Sequence, residues 1–121
     1  MNKMSGYAAI EPALPTVSDV YNEVQKGNVP AAIIMATKIV KAHPENAEAH
    51  YALSKIMIIR NAKDFNSWKD AKKEFETAKQ LQPDLSFATV SDVAELQANI
   101  ESAESHDNDA LSFAMTLVYG R

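Results

Sequence analysis

The chain contains no cysteine and only three glycines in its 121 residues. The missing cysteines exclude a disulfide framework, a thiolate nucleophile and a zinc site built on thiolates. Three glycines are too few for the loops that cradle phosphates, and no strand-turn-helix elbow holds a serine. We therefore expect no enzymatic activity, no cofactor and no metal site.

Long apolar runs and a basic surface are missing as well. No stretch approaches the roughly 20 apolar residues of a membrane span, and the first fifteen residues lack the apolar core of a signal peptide. Twelve basic residues stand against sixteen acidic ones, giving a formal net charge of −4. Because the basic residues are scattered, a nucleic-acid partner is not expected. These features favour one soluble domain in the cytoplasm.

Apolar residues recur at helical spacing through most of the chain, which predicts an all-α fold. We expect five helices, with Gly27, Pro44 and Pro83 ending the first, second and fourth, and the fifth ending near Glu104. Asn28 and Ser67 are the expected N-caps of the second and fourth helices. The stretch between the third and fourth helices, residues 61–67, is predicted to be a loop.

The five-residue sequence TVSDV occurs twice, at Thr16–Val20 and at Thr89–Val93. In each copy a threonine precedes an aspartate by three positions, which is a variant of the capping box at a helix start. The first and fifth helices are therefore predicted to begin with the same capping chemistry.

The chain divides into three predicted parts: a flexible arm over residues 1–15, a helical domain over 16–104 and an apolar tail over 105–121. In the tail, Leu111, Phe113 and Met115 alternate as in a strand, whereas Leu111, Met115 and Val118 fit a helix. We favour a helix, because no other segment offers itself as a partner for a sheet.

Two stretches carry a resemblance to the tetratricopeptide repeat (TPR) family. The sequence HPENAEAHYALSKIM, residues 43–57, resembles the turn and first helix of such a repeat. Ala71 and Phe75 match the A-x₃-F pair of the second helix, and Pro83 closes the unit. The sequence PDLSFATVSDVAELQANI, residues 83–100, is similar to a segment that follows the repeats in small bacterial members of the family.

Repeat spacing agrees with this resemblance once an insertion is allowed. Pro44 and Pro83 are 39 residues apart, about five more than the usual period of about 34. We place the extra residues in the predicted loop, where an insertion leaves helix packing in register. Without them, the 73 residues between the TVSDV copies equal about two periods. The resemblance therefore implies a solenoid of about two and a half repeats.

The resemblance also implies a function. Members of this family bind proteins or peptides in a concave groove lined by the first helix of each repeat. The corresponding positions are the mostly apolar residues Val17, Tyr21, Val24, Tyr51, Lys55, Ile58, Val90, Ala94 and Gln97. Of these, only Lys55 resembles the residues that grip a chaperone carboxylate in some members, so that activity is not carried over. We expect a non-catalytic adaptor or scaffold with a protein partner.

Two alternatives stay open at this stage. The chain could be a homo-oligomeric assembly protein whose tail, residues 105–121, docks in the groove of the same or a second protomer. It could also be a small chaperone for a secreted or membrane partner. His50 is expected to fill an aromatic packing position rather than bind a metal, and Trp68 to pack into its helical hairpin rather than anchor a partner.

Overall fold

The computed structural model describes residues 13–61 and 66–119, and side chains through residue 108. This part of the chain forms five helices and contains no strand, which confirms the all-α prediction. In chain order the helices are α1 (Val17–Gln25), α2 (Val29–Ala42), α3 (Ala47–Arg60), α4 (Ser67–Leu81) and α5 (Val90–Tyr119).

The TVSDV copies start α1 and α5 as predicted. The Thr16 side chain accepts a hydrogen bond from the Asp19 backbone N–H, and the Asp19 carboxylate accepts one from the Thr16 N–H. In the second copy, Thr89 Oγ1 accepts from the Asp92 N–H at 3.0 Å. Each threonine thus satisfies a backbone donor that the first helical turn leaves free.

The predicted caps of α2 and α4 need correction. Asn28 stands at the N-cap of α2, but its side chain makes no cap hydrogen bond there and instead donates to Glu23 Oε1. Ser67 is the first residue of α4 and is buried, while Asn66 holds the N-cap position. A distant side chain helps to satisfy the α4 terminus, because Asn61 Oδ1 accepts from the Trp68 N–H at 3.0 Å.

Helix α5 is longer than predicted. The expected end near Glu104 is wrong, since the helix continues to Tyr119 and includes most of the predicted tail. Its sequence contains neither glycine nor proline, so no residue in it interrupts the helix. The helical interpretation of the tail is therefore confirmed and the strand alternative is wrong. Of the predicted N-terminal arm, residues 1–12 lie outside the described residues.

Helix α3 is the centre of the packing. It contacts α2 and α4, its neighbours in sequence, and also α1 and α5. Two groups of buried side chains meet on it. The first core cluster joins α1, α2 and α3 and consists of Val20, Ala32, Ile33, Ala36, Ile39, Ala49, Leu53 and Ile56. The second core cluster joins α3, α4 and α5 and consists of Tyr51, Ala71, Phe75, Ala78, Leu85, Leu96 and Ile100.

Small residues bring α3 and α4 close together. Ala52, Ala71 and Ala78 are almost fully buried. The Ser54 hydroxyl, also buried, donates a hydrogen bond of 2.7 Å to the Ala71 carbonyl oxygen. This close packing leaves α1 and α5 on the remaining sides of α3, where they flank its exposed surface.

Candidate functional site

A groove of about 500 Å³ lies along α3, between α1 on one side and the start of α5 on the other. We call it the α3 groove. Its aromatic lining comes from Tyr21 and Tyr51 together with Phe87, which precedes α5. The other lining residues are Val24, Gln25, Glu48, Lys55, Ile56, Ile59, Ala88 and Asp92.

Four of the nine predicted groove residues line the α3 groove: Tyr21, Val24, Tyr51 and Lys55. Ile58 lines a smaller adjoining cavity of about 170 Å³, next to Lys55 and Ile59. The structure therefore brings the predicted residues of α1 and α3 together. Val17 is an exception, because it is half-buried and packs against the first core cluster.

The three predicted residues of α5 lie elsewhere. Val90 is 88% exposed, Ala94 is exposed, and Gln97 lines a small cavity beside Phe75 of α4. The buried Leu96 and Ile100 fix the rotation of α5 about its axis. At 100° per residue, positions 92, 95 and 99 then fall on the flank toward α3, and positions 90, 94 and 97 do not. The side chains that face α3 are Asp92, Glu95, Asn99.

Aromatic rings and a lysine form the centre of the groove. The Lys55 ammonium lies over the Tyr21 ring, 5.1 Å from its centroid, and 5.6 Å from the centroid of the Tyr51 ring. Phe87 meets Tyr51 edge to face, with ring centroids 5.4 Å apart. Both distances for Lys55 are within the range of a cation–π interaction, so the tyrosine rings hold a positive charge between them.

The groove is more acidic than the sequence suggested. Glu48 and Asp92 line it, and Glu95 lines the adjoining cavity. Within the described part of the chain, no basic side-chain nitrogen lies within 4.0 Å of these carboxylates, since the ion pairs there involve other acids. Sequence reasoning missed all three, because it treated the groove positions as apolar.

This environment raises the pKa of both groove tyrosines, Tyr21 and Tyr51. Burial raises the pKa of Tyr21 far above its ordinary value, and the nearby Tyr51, Glu48 and Asp92 raise it further. Burial also raises the pKa of Tyr51, with smaller contributions from Asp92 and Glu95. Both rings therefore stay neutral, because surrounding negative charge and lost hydration oppose a phenolate.

The Tyr51 hydroxyl is buried and has no hydrogen-bond partner among the described residues. An unpaired buried hydroxyl costs about 1 kcal/mol or more relative to a hydrated one. We therefore expect Tyr51→Phe to raise the free energy of unfolding by about 1 kcal/mol, as measured by urea denaturation. Tyr21→Phe is the control on the same groove and should change it less. A loss of stability in Tyr51→Phe would contradict this account of the hydroxyl.

The three histidines and Trp68 are the remaining side chains that the sequence offered for a chemical or binding role. Both ring nitrogens of His50 contact acceptors, Glu74 Oε1 and the Pro44 carbonyl oxygen. His43 and His106 are exposed. Trp68 is buried as expected, but its Nε1–H donates to Asp107 on α5 and not within its own helical hairpin. Among the residues for which side chains are described, no group of three or more histidines and carboxylates could hold a metal ion.

Two further observations bear on the class of protein. In the described part of the chain, no helix is both long and apolar enough to span a membrane. The comparisons with known proteins add no relative: no protein-family model matches the chain, and neither a curated protein nor a solved structure matches it significantly.

Proposed function

We propose that this chain is a non-catalytic interaction module that binds a segment of another protein in the α3 groove. The observation that carries the proposal is the groove itself, about 500 Å³ in volume and lined by aromatic, aliphatic and a few charged side chains. Aromatic side chains in a concave surface are the usual anchors of a peptide interface. This composition supports the proposed binding role as adaptor or scaffold.

The helix arrangement supports a TPR-like scaffold for this role. Helices α1 and α2 contact each other, as do α3 and α4, so each pair can be one helical hairpin. Helices α1 and α5 both contact α3, as the first-type helices of neighbouring repeats would. In this proposal the chain is a solenoid of two hairpins followed by a single helix, and the groove runs across the first-type helices.

The tail is a poor occupant of the groove of its own chain. Residue 111 stands 19 positions after Asp92 in the same continuous helix, which is about 28 Å along the axis. To reach the groove beside Asp92, the tail would have to break α5. The groove is therefore better suited to a segment from another chain.

A selection with phage-displayed random peptides tests the proposal. Ile59 lines the groove and is 48% exposed, so Ile59→Gln places a neutral polar group in the groove without disturbing the core. We expect selected peptides to bind Ile59→Gln about tenfold more weakly than the unchanged protein, because an apolar contact is replaced by a hydrated amide.

Ile34→Gln is the matched control. Ile34 is a similarly exposed isoleucine, 57% exposed, on α2 and away from the groove. The selected peptides should bind this variant as well as the unchanged protein. Failure to select any peptide, or equal binding to Ile59→Gln and the unchanged protein, would refute the proposed function.

A further inference from the structure

We propose that the α3 groove selects partner segments that carry an arginine or lysine side chain, and that this cation takes the position now held by the Lys55 ammonium. This inference rests on the proposed function and adds the chemistry of the partner. It assigns Lys55 the role of an internal occupant that a ligand displaces.

The position of the Lys55 ammonium has a shape that also suits a cation from another chain. Lys55 Nζ lies 5.1 Å from the ring centroid of Tyr21 and 5.6 Å from that of Tyr51. The negative faces of two rings thus converge on one point, where a positive charge already sits. A guanidinium or ammonium from another chain meets the same attraction there, and a guanidinium also stacks on an aromatic face.

The groove also carries more negative than positive charge. Glu48, Asp92 and Glu95 line the groove and its adjoining cavity, against the single cation Lys55. None of the three acids is within 4.0 Å of a basic nitrogen in the described residues. A basic segment would complement this excess of negative charge, whereas an acidic segment would be repelled by it.

The state of the Tyr51 hydroxyl also favours a basic ligand. Tyr51 lines the groove, is only 2% exposed, and its hydroxyl lacks a partner among the described residues. Arginine and lysine side chains are donors only, and a phenolic oxygen accepts from them. The Lys55 ammonium leaves this hydroxyl unpaired, whereas the wider donor fork of an arginine guanidinium can also donate to it.

Lys55 can leave the position because its flexible stem allows its ammonium to move toward the unpaired carboxylates. While it stays, it competes with the ligand and repels it, so it lowers the affinity for a basic segment. Removing its charge should then strengthen binding. The opposite prediction holds for an anionic ligand, which Lys55 would bind directly.

Four synthetic pentapeptides test the inference by isothermal titration. Their sequence is acetyl-Leu-Ala-X-Ala-Leu-amide, where X is arginine, citrulline, norleucine or glutamate. Citrulline has nearly the shape of arginine without its charge. We expect the arginine peptide to bind the unchanged protein and the citrulline peptide to bind about fivefold more weakly, as for the loss of a cation–π contact.

Variants of the groove charges complete the test. We expect the arginine peptide to bind Lys55→Met about fivefold more tightly, and the double variant Glu48→Gln, Asp92→Asn about fivefold more weakly. Lys69→Met is the matched control, because Lys69 also lies over an aromatic ring, 5.9 Å from the Trp68 centroid, but outside the groove. It removes the same net charge and should leave the affinity unchanged.

Several results would overturn the inference. Equal binding of the arginine and citrulline peptides would mean that the groove does not recognise charge. Preference for the glutamate peptide, abolished in Lys55→Met, would identify an anionic ligand. Self-association of the chain that blocks peptide binding would identify a second copy as the occupant. If random-library peptides without basic residues bind in an Ile59-dependent way, the proposed function stands and only this inference fails.

Discussion

Replacement of His50 by alanine is expected to lower the free energy of unfolding by about 3 kcal/mol. His50 is buried at the start of α3 and connects three parts of the fold. Its Nδ1 lies 2.6 Å from Glu74 Oε1 on α4, and its Nε2 lies 2.8 Å from the carbonyl oxygen of Pro44 in the α2–α3 turn.

The size of this effect comes from what the alanine leaves behind. The Glu74 side chain is only 16% exposed, so losing His50 leaves a largely buried carboxylate without its partner. An unpaired charge in such a position costs more than the broken hydrogen bond alone. The Pro44 carbonyl oxygen loses its His50 contact in the same variant.

Urea denaturation of three variants measures this interaction. His43→Ala is the matched control, because the His43 side chain is 55% exposed and contacts only the exposed Glu45; we expect a change within about 0.5 kcal/mol. Glu74→Gln keeps an acceptor for His50 and should cost less than His50→Ala. A loss in His50→Ala no larger than in His43→Ala would show that the connection does not stabilise the fold.

The sequence was sufficient to predict the helix starts and stops that depend on local chemistry. Thr16 and Thr89 bond to backbone groups three residues away, and Gly27 follows α1 with a positive φ of 85°, a conformation that glycine adopts easily. These features lie within one turn of each other, so a short stretch of sequence contains all the interacting groups.

Features that depend on distant residues were not predictable in this way. The backbone N–H of Trp68 near the start of α4 is satisfied by Asn61, seven positions earlier, which no local capping pattern indicates. The continuation of α5 includes a contact from Asp107 to Trp68, 39 positions away. No local pattern after Glu104 indicates this contact, so the sequence alone does not predict that the helix continues through it.

The predicted positions of α1 and α3 mostly line the α3 groove and those of α5 do not, for a related reason. Tyr21, Tyr51 and Lys55 follow from helical spacing within α1 and α3. The facing residues of α5 depend on how that helix is rotated, which Leu96 and Ile100 determine by packing against α3 and α4. At 100° per residue, Asp92 lies roughly 160° around the helix from Val90, and Glu95 lies about 100° from Ala94, so the rotation of α5 decides between an apolar and an acidic wall.

Replacement of Leu96 by alanine tests this role of α5 and is expected to destabilise the protein by about 3 kcal/mol. Leu96 is 3% exposed in the second core cluster, where it packs with residues of α3 and α4. Removing its side chain leaves a cavity at the contact between α5 and the rest of the fold. The first core cluster does not include α5, so the loss should fall mainly on α5.

Hydrogen exchange distinguishes this local effect from a general loss of stability. In Leu96→Ala, amides of residues 93–108 should exchange faster relative to those of α2, because α5 opens before the α1–α2–α3 core does. Val90→Ala is the matched control on the same helix: Val90 is 88% exposed, and we expect a change within about 0.5 kcal/mol. Equal acceleration of exchange in α2 and α5 would contradict separate opening.

The same variant links the fold to the proposed binding. Asp92 stands one turn before Leu96, and Phe87 and Ala88 stand in the segment that leads into α5. When α5 loosens, one side of the α3 groove loses its fixed position and Tyr51 loses packing partners in the second core cluster, while Tyr21 and Lys55 keep their positions. Leu96→Ala should therefore weaken binding of groove-selected peptides at temperatures where α1, α2 and α3 are still folded. Unchanged affinity under those conditions would mean that α5 is not part of the binding surface.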